Sequence, residues 1–448
     1  MEILKEQPRR KHIVVVGGGF AGLNFAQKFF KNNHYDVTVV DRNNYNYFTP
    51  LLYQVATGFL DPTSISYPFR MLFRNTGIKF RMAELLHVDT DRQRLKLNTG
   101  ELAYDYLVFA AGTKTNFFGN SNMKDKVISL KGIDDALDMR NVLIRTMENA
   151  TLEQDPVERK KILTTVIVGG GATGVEVAGV LAEMKKHILL KEYPELEHNE
   201  GAIYIVDGQD NLLAPMSEKS HKAAYKILTR LGVEVKLNTV VTSYEDDKVT
   251  FSDGQSVDAR TVIWCAGVTA NLFDGIPKSS LGSGNRMKTD AFNQVLGLKN
   301  VYAIGDICIQ ETDLVYPKGH PQLAQPAIQH GKHLASNFLA LARGKALKPF
   351  KYFDKGDMAI IGRNYAVADL FKHKFHLGGF IGLLSWLFIH VVSLVNYNNK
   401  IKTIYGWIVA YLTNDQHLRM IFKESVKQTK SNESRIRKND ASFIKHGL

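Results

Sequence analysis

Cysteine is almost absent from this sequence. The chain has two, Cys265 and Cys308, which stand 43 positions apart and form neither a C-x-x-C pair nor a metal-ligand spacing. This scarcity excludes a disulfide framework, a cysteine-based metal centre and a dithiol relay, and no metal site is predicted. Cys265 lies in an apolar run, where a small buried residue is the ordinary interpretation.

An apolar leader is also missing. The first six residues, MEILKE, contain no uninterrupted hydrophobic stretch, so we expect no secretory signal and a folded body in the cytoplasm. Acidic residues are fewer than basic ones, 45 against 57, and the net charge is +12. This surplus suits nucleic acid, phosphates or a membrane surface, or is simply a basic surface. No aromatic and basic nucleic-acid motif is present, so no nucleic-acid partner is expected.

What the sequence does contain is one pattern used twice. The first copy is a short apolar strand at residues 13–16, a glycine turn at 17–22, an amphipathic helix, a second strand at 37–40 and then Asp41. The pattern predicts an α/β unit of the Rossmann type. A length of 448 residues, with 44% hydrophobic and 23% charged residues, suggests two or three globular domains.

Each glycine of the first turn has its own reason. Gly17 permits a tight turn, Gly19 lets the backbone approach a pyrophosphate, and Gly22 lets the helix pack closely on the strand. Phosphates would then sit on the unsatisfied N–H groups at the helix N-terminus. Asp41, 19 residues after Gly22, is placed to accept hydrogen bonds from ribose hydroxyls. A glycine turn alone can be structural, but the surrounding strand, helix and acid predict a dinucleotide site.

The second copy begins with an apolar strand at 165–168, followed by the glycine turn 169–174 and a helix. Both copies end in an apolar segment that closes on an Ala-Gly pair. Gly112 ends the first copy 95 positions after its first glycine, and Gly267 ends the second after 98. Two units of equal build imply two dinucleotides and electron transfer between them.

Two acids of the second copy have different interpretations. Asp207 ends the second strand, 33 positions after Gly174, and a helical extension over 191–198 accounts for the excess length. Because a carboxylate repels a 2′-phosphate and the next residues bring no arginine, NADH is expected rather than NADPH. Glu176 lies near the start of the helix, where it is either an ordinary partner of the helix dipole or a functional acid.

The stretch after Asp41 contains aromatic and amide side chains and no cysteine. Disulfide reductases built on the same plan place a redox-active cysteine pair at about this point. Residues 44–58, together with the first glycine turn, resemble the type II NADH dehydrogenases, single-chain flavoproteins that pass electrons from NADH to a membrane quinone. The likeness covers all but the two tails, and the further stretches that share it are 110–119, 169–176 and 301–306.

The resemblance implies one non-covalently bound FAD, NADH as substrate, and a quinone, either menaquinone or ubiquinone, as acceptor, without proton pumping. It implies that the catalytic residues are Glu176, near the nicotinamide and flavin, and Gln325 and Gln329, where a helix meets flavin and quinone. The residues it assigns to FAD are Gly17, Gly19, Phe20, Ala21, Gly22, Asp41, Arg42, Tyr53, Gln54, Ala111, Gly112, Thr113, Gly305, Asp306, Ala324 and Gln325. Those it assigns to NADH are Gly169, Gly171, Ala172, Thr173, Gly174, Glu176, Asp207, Ala266 and Gly267.

The two glutamines are four residues apart, so Gln325 and Gln329 share a helix face. Two amides on one face are often ordinary surface groups, whereas the resemblance implies that they bond to the quinone carbonyl. Pro326 fits a smooth helix only in the first turn. Glu176 is one candidate proton relay to the quinone, and Lys372 or Lys374 at the membrane edge is another.

Charged residues are missing again near the C-terminus. Phe375 to Asn399 contain no Lys, Arg, Asp or Glu in 25 residues, enough for a transmembrane helix. Small and polar residues on one helical stripe instead favour an anchor that packs on the protein and lies in the membrane plane, with a span and a buried core or dimer contact as alternatives. The stripe is Gly378, Gly382, Ser385, Ser393 and Asn396, and the side free to meet lipid would carry Ile381, Leu383, Trp386 and Leu387.

Together these features predict an α/β fold of two Rossmann-like dinucleotide-binding domains in the disulfide-reductase-like arrangement, with an amphipathic helical membrane anchor. The predicted parts are an FAD-binding domain in two pieces, 1–125 and 286–372, an inserted NADH-binding domain at 126–285, anchor helices at 373–422 and a basic tail at 423–448. The resemblance implies a homodimer attached peripherally to the cytoplasmic face of the cell inner membrane.

Two rival functions stay open. A sulfide:quinone oxidoreductase shares the architecture and the anchor, but it handles sulfur with cysteines beside the flavin, which Cys265 and Cys308 do not obviously supply. A protein that binds nucleic acid or membrane and keeps its dinucleotides as structural groups would hold a flavin that NADH cannot bleach.

Overall fold

Two parallel β-sheets, one for each copy of the repeated pattern, form the frame of the protein. The computed structural model describes residues 9–196, 200–413 and 418–421. The predicted tail at 423–448 lies outside these residues, as does part of the helical extension predicted at 191–198. The described part of that extension is helical only as far as Glu192.

The strands, in chain order, are β1 Lys11–Val16, β2 Tyr35–Asp41, β3 Tyr45–Tyr47, β4 Ser66–Pro68, β5 Lys79–Met82, β6 Leu85–Asp89, β7 Arg94–Leu97, β8 Gly100–Ala103, β9 Tyr106–Phe109, β10 Thr113–Thr115, β11 Ile128–Ser129, β12 Thr165–Val168, β13 Ile203–Val206, β14 Val233–Lys236, β15 Val241–Glu245, β16 Lys248–Phe251, β17 Ser256–Asp258, β18 Thr261–Trp264, β19 Val268–Ala270, β20 Met287–Thr289, β21 Val301–Ala303, β22 Cys308–Gln310, β23 Gly356–Ile360, β24 Ala366–Leu370 and β25 Phe375–Gly378.

The α-helices are α1 Phe20–Gln27, α2 Leu52–Ala56, α3 Pro62–Ile65, α4 Phe69–Leu72, α5 Ile133–Leu152, α6 Pro156–Leu163, α7 Ala172–Met184, α8 Leu190–Glu192, α9 Glu218–Arg230, α10 Ala324–Ala342, α11 Gly379–Ser393 and α12 Tyr397–Thr413.

The two sheets have corresponding strand orders. The first is β21-β9-β1-β2-β5 and the second is β11-β18-β12-β13-β14, with every neighbouring pair parallel. Their central strands are apolar without alternation, as in β1 and β12, because helices cover both faces of a parallel sheet. Each unit also carries an antiparallel three-stranded meander, β6-β7-β8 in the first and β15-β16-β17 in the second. The predicted α/β fold class is confirmed.

The first unit is interrupted by the second. Strand β21 follows the whole second unit in the chain, yet it pairs with β9 at the edge of the first sheet. Strands β10 and β19 pair antiparallel where the chain passes between the units. The first unit is therefore discontinuous, while the residue boundaries predicted for the domains stay predictions.

Strands β23-β24-β25 form the C-terminal sheet, and α11 packs on it. Gly382 permits this close packing, because a Cβ there would overlap the carbonyl oxygen of Ala366. The charge-free stretch from Phe375 to Asn399 is a strand, a 15-residue helix and the start of another helix. Across residues 9–196, 200–413 and 418–421, no helix combines the length and apolar character needed to cross a bilayer.

The predicted orientation of α11 was partly wrong. Trp386 is fully buried and Leu383 is 4% exposed, so both face the protein and not lipid. The inward face follows the helical period through Gly382, Trp386 and His390. Ile381 is exposed, as predicted, and Leu387 is half-buried. The other residues of the exposed apolar face are Phe380, Leu384, Phe388, Ile389 and Val392.

One buried carboxylate joins the C-terminal sheet to the second unit. Asp369 of β24 accepts hydrogen bonds from the backbone N–H and hydroxyl of Ser217, at 2.7 and 2.8 Å, and from the hydroxyl of Ser220 at 2.8 Å. The ring Nδ1 of His376 lies 2.7 Å from the same carboxylate. Burial by itself would raise the pKa of Asp369, but the hydrogen bonds lower it below its ordinary value. The carboxylate thus holds the start of α9 against β24.

We expect Asp369→Asn to lower the free energy of unfolding by roughly 3 kcal/mol, because each hydrogen bond to a charged group contributes about 1.5–3 kcal/mol. Since the folded pKa is depressed, the advantage of the wild type is complete above the ordinary carboxyl pKa of about 4 and is lost as the pH falls through the lower folded value. Thermal melts from pH 7 down to about pH 3 measure it.

The matched control is Asp357→Asn on the neighbouring strand. Burial and the nearby Asp354 and Asp369 carboxylates raise the pKa of Asp357, so its neutralisation should leave stability unchanged or higher. Equal losses in the two variants would contradict the role given to Asp369.

Candidate active site between the two glycine turns

The two glycine turns have the same backbone geometry. Gly17 follows β1 with φ +104° and Gly169 follows β12 with φ +111°, a region that side chains other than glycine rarely adopt. A Cβ on Gly17 would lie 2.8 Å from the Cα of Ala111, and one on Gly169 would lie 2.7 Å from the amide nitrogen of Ala266. Each turn is therefore pressed against the end of the neighbouring strand.

The other glycines of the turns divide into a packed and an open pair. A Cβ on Gly22 would overlap the carbonyl oxygen of Gly17, and one on Gly174 would overlap that of Gly169. At Gly19 and Gly171, by contrast, no heavy atom of the described chain comes within 4 Å of such a Cβ. These two residues begin α1 and α7 without a side-chain cap. Each helix thus directs free backbone N–H groups into open space that suits a phosphate.

The two acids at the strand ends hold the turns in place. One carboxylate oxygen of Asp41 accepts from the N–H of Gly18 at 2.7 Å, and Asp207 accepts from Gly170 in the same way. The second oxygen of each accepts from the backbone two residues further on. Burial raises the pKa of Asp41. Their predicted contacts to ribose hydroxyls stay predictions.

Gly305 and Asp306 stand where the first sheet meets α1 and α10. Gly305, with φ +75°, fits between the helices, because a Cβ there would lie 2.9 Å from the Cβ of Ala21. Burial raises the pKa of Asp306 to about 6, although the cations of Lys131 and Arg286 oppose the shift. Neither cation was expected from the sequence, where they lie far from any motif.

The two glutamines of α10 are not equivalent. Gln325 donates from Nε2 to the carbonyl of Gly356 at 2.7 Å, and its buried Oε1 has no partner among the described residues. Gln329 uses both ends of its amide on the backbone of Phe353, at 2.8 and 3.0 Å. Each Nε2 keeps a second N–H, so the predicted bonds from Gln325 and Gln329 to a quinone carbonyl stay predictions. Gln325 offers an acceptor, which suits an N–H or O–H group. Pro326 lies in the first turn of α10, where it costs little.

Glu176 is buried within α7, between the second sheet and the C-terminal part. Burial raises the pKa of Glu176 to about 8, against a hydrogen bond from the backbone N–H of Ile360. The indole N–H of Trp386 is directed at the carboxyl. Its Nε1, however, reaches no acceptor with hydrogen-bond geometry within the described residues. The carboxyl is thus a proton-holding group near neutral pH.

Polar side chains lie between Glu176 and helix α12. Tyr53 of α2 is buried, and burial followed by the nearby Glu176 carboxyl raises its pKa well above the ordinary value. Its hydroxyl accepts from Nε2 of Gln54 at 2.9 Å, and the Oε1 of Gln54 accepts from the indole N–H of Trp407 at 2.7 Å. Tyr53 and Gln54 therefore lie together with Glu176, as expected for one site.

The remaining predicted residues line the same region or its edges. Phe20, Ala172, Thr173 and Ala324 lie in the first turns of α1, α7 and α10. Gly112 and Gly267 have positive φ, and Thr113 belongs to β10. Arg42 lies near Asp41, where its positive charge partly opposes the rise in the pKa of Asp41 that burial causes. Phe118 was not among the predicted residues, although its exposed ring covers Gly267 where a Cβ would stand. The inward positions of Trp386 and Trp407 were not predicted either.

Known proteins agree with this arrangement. Residues 11–331 match the family described as pyridine nucleotide-disulphide oxidoreductase. The Type II NADH:quinone oxidoreductase Ndh of Mycobacterium tuberculosis is 33% identical over 428 residues, which are 91% of this chain and 89% of that protein. The chain belongs to the type II NADH:quinone oxidoreductases. A relative of the same description from Haemophilus influenzae is 29% identical and covers 80% of this chain and 87% of its own length.

Solved structures share the fold of this family member. NDH2 of Plasmodium falciparum, solved in complex with NADH, superimposes with a TM-score of 0.84 at 22% identity and covers 93% of this chain and 100% of its own. The sulfide:quinone oxidoreductase of Aquifex aeolicus has a TM-score of 0.67 at 18% identity. The resemblance stated from the sequence is confirmed, and the sulfide rival keeps only a likeness of fold.

The raised pKa of Glu176 predicts how its removal changes stability. In the unfolded chain the carboxyl ionises at its ordinary value, whereas in the folded protein it ionises at about 8. Folding is therefore penalised increasingly as the pH rises between these values, by about 1.4 kcal/mol for each unit of difference. Glu176→Gln should melt at progressively higher temperature than wild type from pH 5 to pH 8, with a constant difference beyond. A difference independent of pH would show that Glu176 is already ionised.

Proposed function

We propose that the protein oxidises NADH and passes the electrons through FAD to a membrane quinone without pumping protons. The observation that supports this most is the pair of glycine turns, equal in geometry, with a buried proton-holding carboxyl between their units. FAD fits the first turn, which Gly305, Asp306 and α10 extend. NADH fits the second, at the start of α7. The relatives named as type II NADH:quinone oxidoreductases support the same assignment.

The chain's own residues bind, orient and hold protons. When bound, FAD supplies the two-electron chemistry that accepts hydride and releases electrons. The free N–H groups of α1 and α7 would bind the pyrophosphates, and Asp306 would accept hydrogen bonds from hydroxyls of the flavin side chain. The buried oxygen of Gln325 would accept from a donor on the flavin or on the reduced quinone.

Reduction of a quinone takes up two electrons and two protons, one proton more than a hydride carries. Glu176 holds such a proton at neutral pH inside the protein. The other candidate relays, Lys372 and Lys374, lie in the exposed turn between β24 and β25. We assign the relay to Glu176, which is buried beside Tyr53.

We propose that α11 and α12 seat the protein in the plane of the membrane, on the cytoplasmic face of the cell inner membrane. Both helices expose long apolar faces beside charged or polar edges, a property typical of interfacial helices. On α12 the exposed apolar residues are Tyr397, Ile401, Ile404, Tyr405, Ile408, Tyr411 and Leu412. The homodimer implied by the resemblance is part of this proposal, and analytical sedimentation of the flavoprotein would check it.

Variants of the two open glycines separate the two dinucleotides. Gly19→Val and Gly171→Val each add a side chain to empty space, with φ near −70° in both cases, so the fold should tolerate them. Gly19→Val should be purified without flavin. Gly171→Val should keep FAD but lose rapid bleaching near 450 nm when mixed anaerobically with NADH in a stopped-flow instrument.

In the wild type, NADH should bleach the flavin and a short-chain quinone should restore its absorbance. Bound flavin that NADH does not bleach would refute the proposed function. Bleaching without recovery would refute quinone as the acceptor, and loss of flavin from Gly171→Val would reverse the assignment of the two sites.

The membrane seat is tested with two leucines of equal exposure. Leu412 on α12 is 75% exposed and Leu152 on α5 is 77% exposed. Transfer of a leucine side chain out of water contributes about 1.5–3 kcal/mol, so Leu412→Gln should weaken binding to lipid vesicles about tenfold or more in a flotation assay. Leu152→Gln should bind as wild type does. Equal effects would mean that α12 does not face the membrane.

A further inference from the structure

The indole of Trp386, on α11, faces the carboxyl of Glu176. Trp386 is fully buried, and its ring stacks on the ring of His390 with centroids 3.8 Å apart. The Nδ1 of His390 donates to the carbonyl of Trp386 at 2.8 Å. Burial lowers the pKa of His390 to about 4, so this ring is neutral at physiological pH. The indole is therefore held by a neutral partner, with its N–H facing the carboxyl.

The protonation state of Glu176 decides how strongly its carboxyl accepts a hydrogen bond from this N–H. The backbone N–H of Ile360 already serves the carboxyl. When the carboxyl is protonated, its second oxygen is a hydroxyl, which is a poor acceptor. When it is ionised, both oxygens are strong acceptors, and a charge-assisted hydrogen bond from a nearby donor becomes favourable. Trp386 is the buried donor with nothing else to bind among the described residues.

The other groups that face Glu176 do not compete for its charge. Tyr53 on α2 and Cys265 at the end of β18 are neutral, because burial raises the pKa of both, that of Cys265 to about 12. In the part of the chain that the structure describes, Glu176 makes no ion pair. Burial therefore has the largest effect on the charge of Glu176, and the N–H donors of Ile360 and Trp386 oppose it.

We propose that Trp386 is a positioning residue that couples the seating of α11 on the protein body to the charge of Glu176, by donating its indole N–H to the carboxylate when that group is ionised. A closer seat of α11 favours the ionised acid, and a looser seat favours the protonated one. Because the opposite face of α11 is the exposed apolar face, the surface that would meet a membrane and the acid that holds the proton are one helix diameter apart.

The chain contains three tryptophans, so indole ¹⁵N labelling gives three resonances. We expect the Trp386 indole proton to move downfield with rising pH as Glu176 ionises, and to lose this movement in Glu176→Gln. Trp264 is the internal control, because its N–H already donates to the backbone carbonyls of Asn116 and Ala266. Trp407→Phe and Trp264→Phe assign the spectrum even if Trp386→Phe does not fold.

Neighbouring leucines on α11 test the coupling to the seat. Leu383 is 4% exposed and packs inward, whereas Leu384 is 51% exposed. Leu383→Ala should raise the midpoint of the Trp386 titration, because a looser α11 withdraws the donor from the carboxylate. Leu384→Ala should leave the midpoint where it is.

A Trp386 resonance that does not follow Glu176 would overturn the proposal, and so would equal midpoints in Leu383→Ala and wild type. The inference rests on the proposed function, in which Glu176 handles protons. The resonance is read in resting protein with FAD bound and without NADH or quinone, so a failure of catalysis does not produce a failure of this test.

Discussion

The burial of a single carboxyl group, that of Glu176, requires contributions from distant parts of the chain. Helix α7 carries it, β23 provides its backbone donor, α2 closes one side with Tyr53, and α11 closes another with Trp386. A carboxyl without a cation keeps its proton only while all of these exclude water. The C-terminal sheet and helices α11 and α12 therefore complete the proposed site between the two units. They belong to this proposed site as much as the glycine turns do.

The two units repeat a geometry but not a chemistry. Both present an open glycine at a helix start and an acid that holds the turn. The first unit adds Gly305 and Asp306, wedged between α1 and α10, and so surrounds its ligand on several sides. Beside the second turn, Phe118 stands over Gly267.

Local requirements made the glycine turns, the parallel sheets and the equivalent strand-end positions of Asp41 and Asp207 predictable from the sequence. A positive φ or a backbone overlap depends on a few neighbouring residues, and those are visible in a motif. Which apolar face of α11 turns inward was not predictable, because Trp386 and Phe388 are equally hydrophobic and only the position of Glu176 distinguishes them. The hydrogen-bond partner of Gln329 was also not predictable, because Phe353 lies 24 residues away in the sequence.

The return of β21 to the first sheet has a consequence for synthesis. The ribosome releases the second unit, from β11 to β18, before the last strand of the first sheet exists. The second unit can pair its own strands at once, whereas the edge of β9 stays open until residues 301–303 emerge. Helix α10, which packs on α1, appears later still. The compartment that begins at the first glycine of the chain therefore closes after the second unit has formed, and a nascent protein can fold its second unit before its first one can retain a ligand.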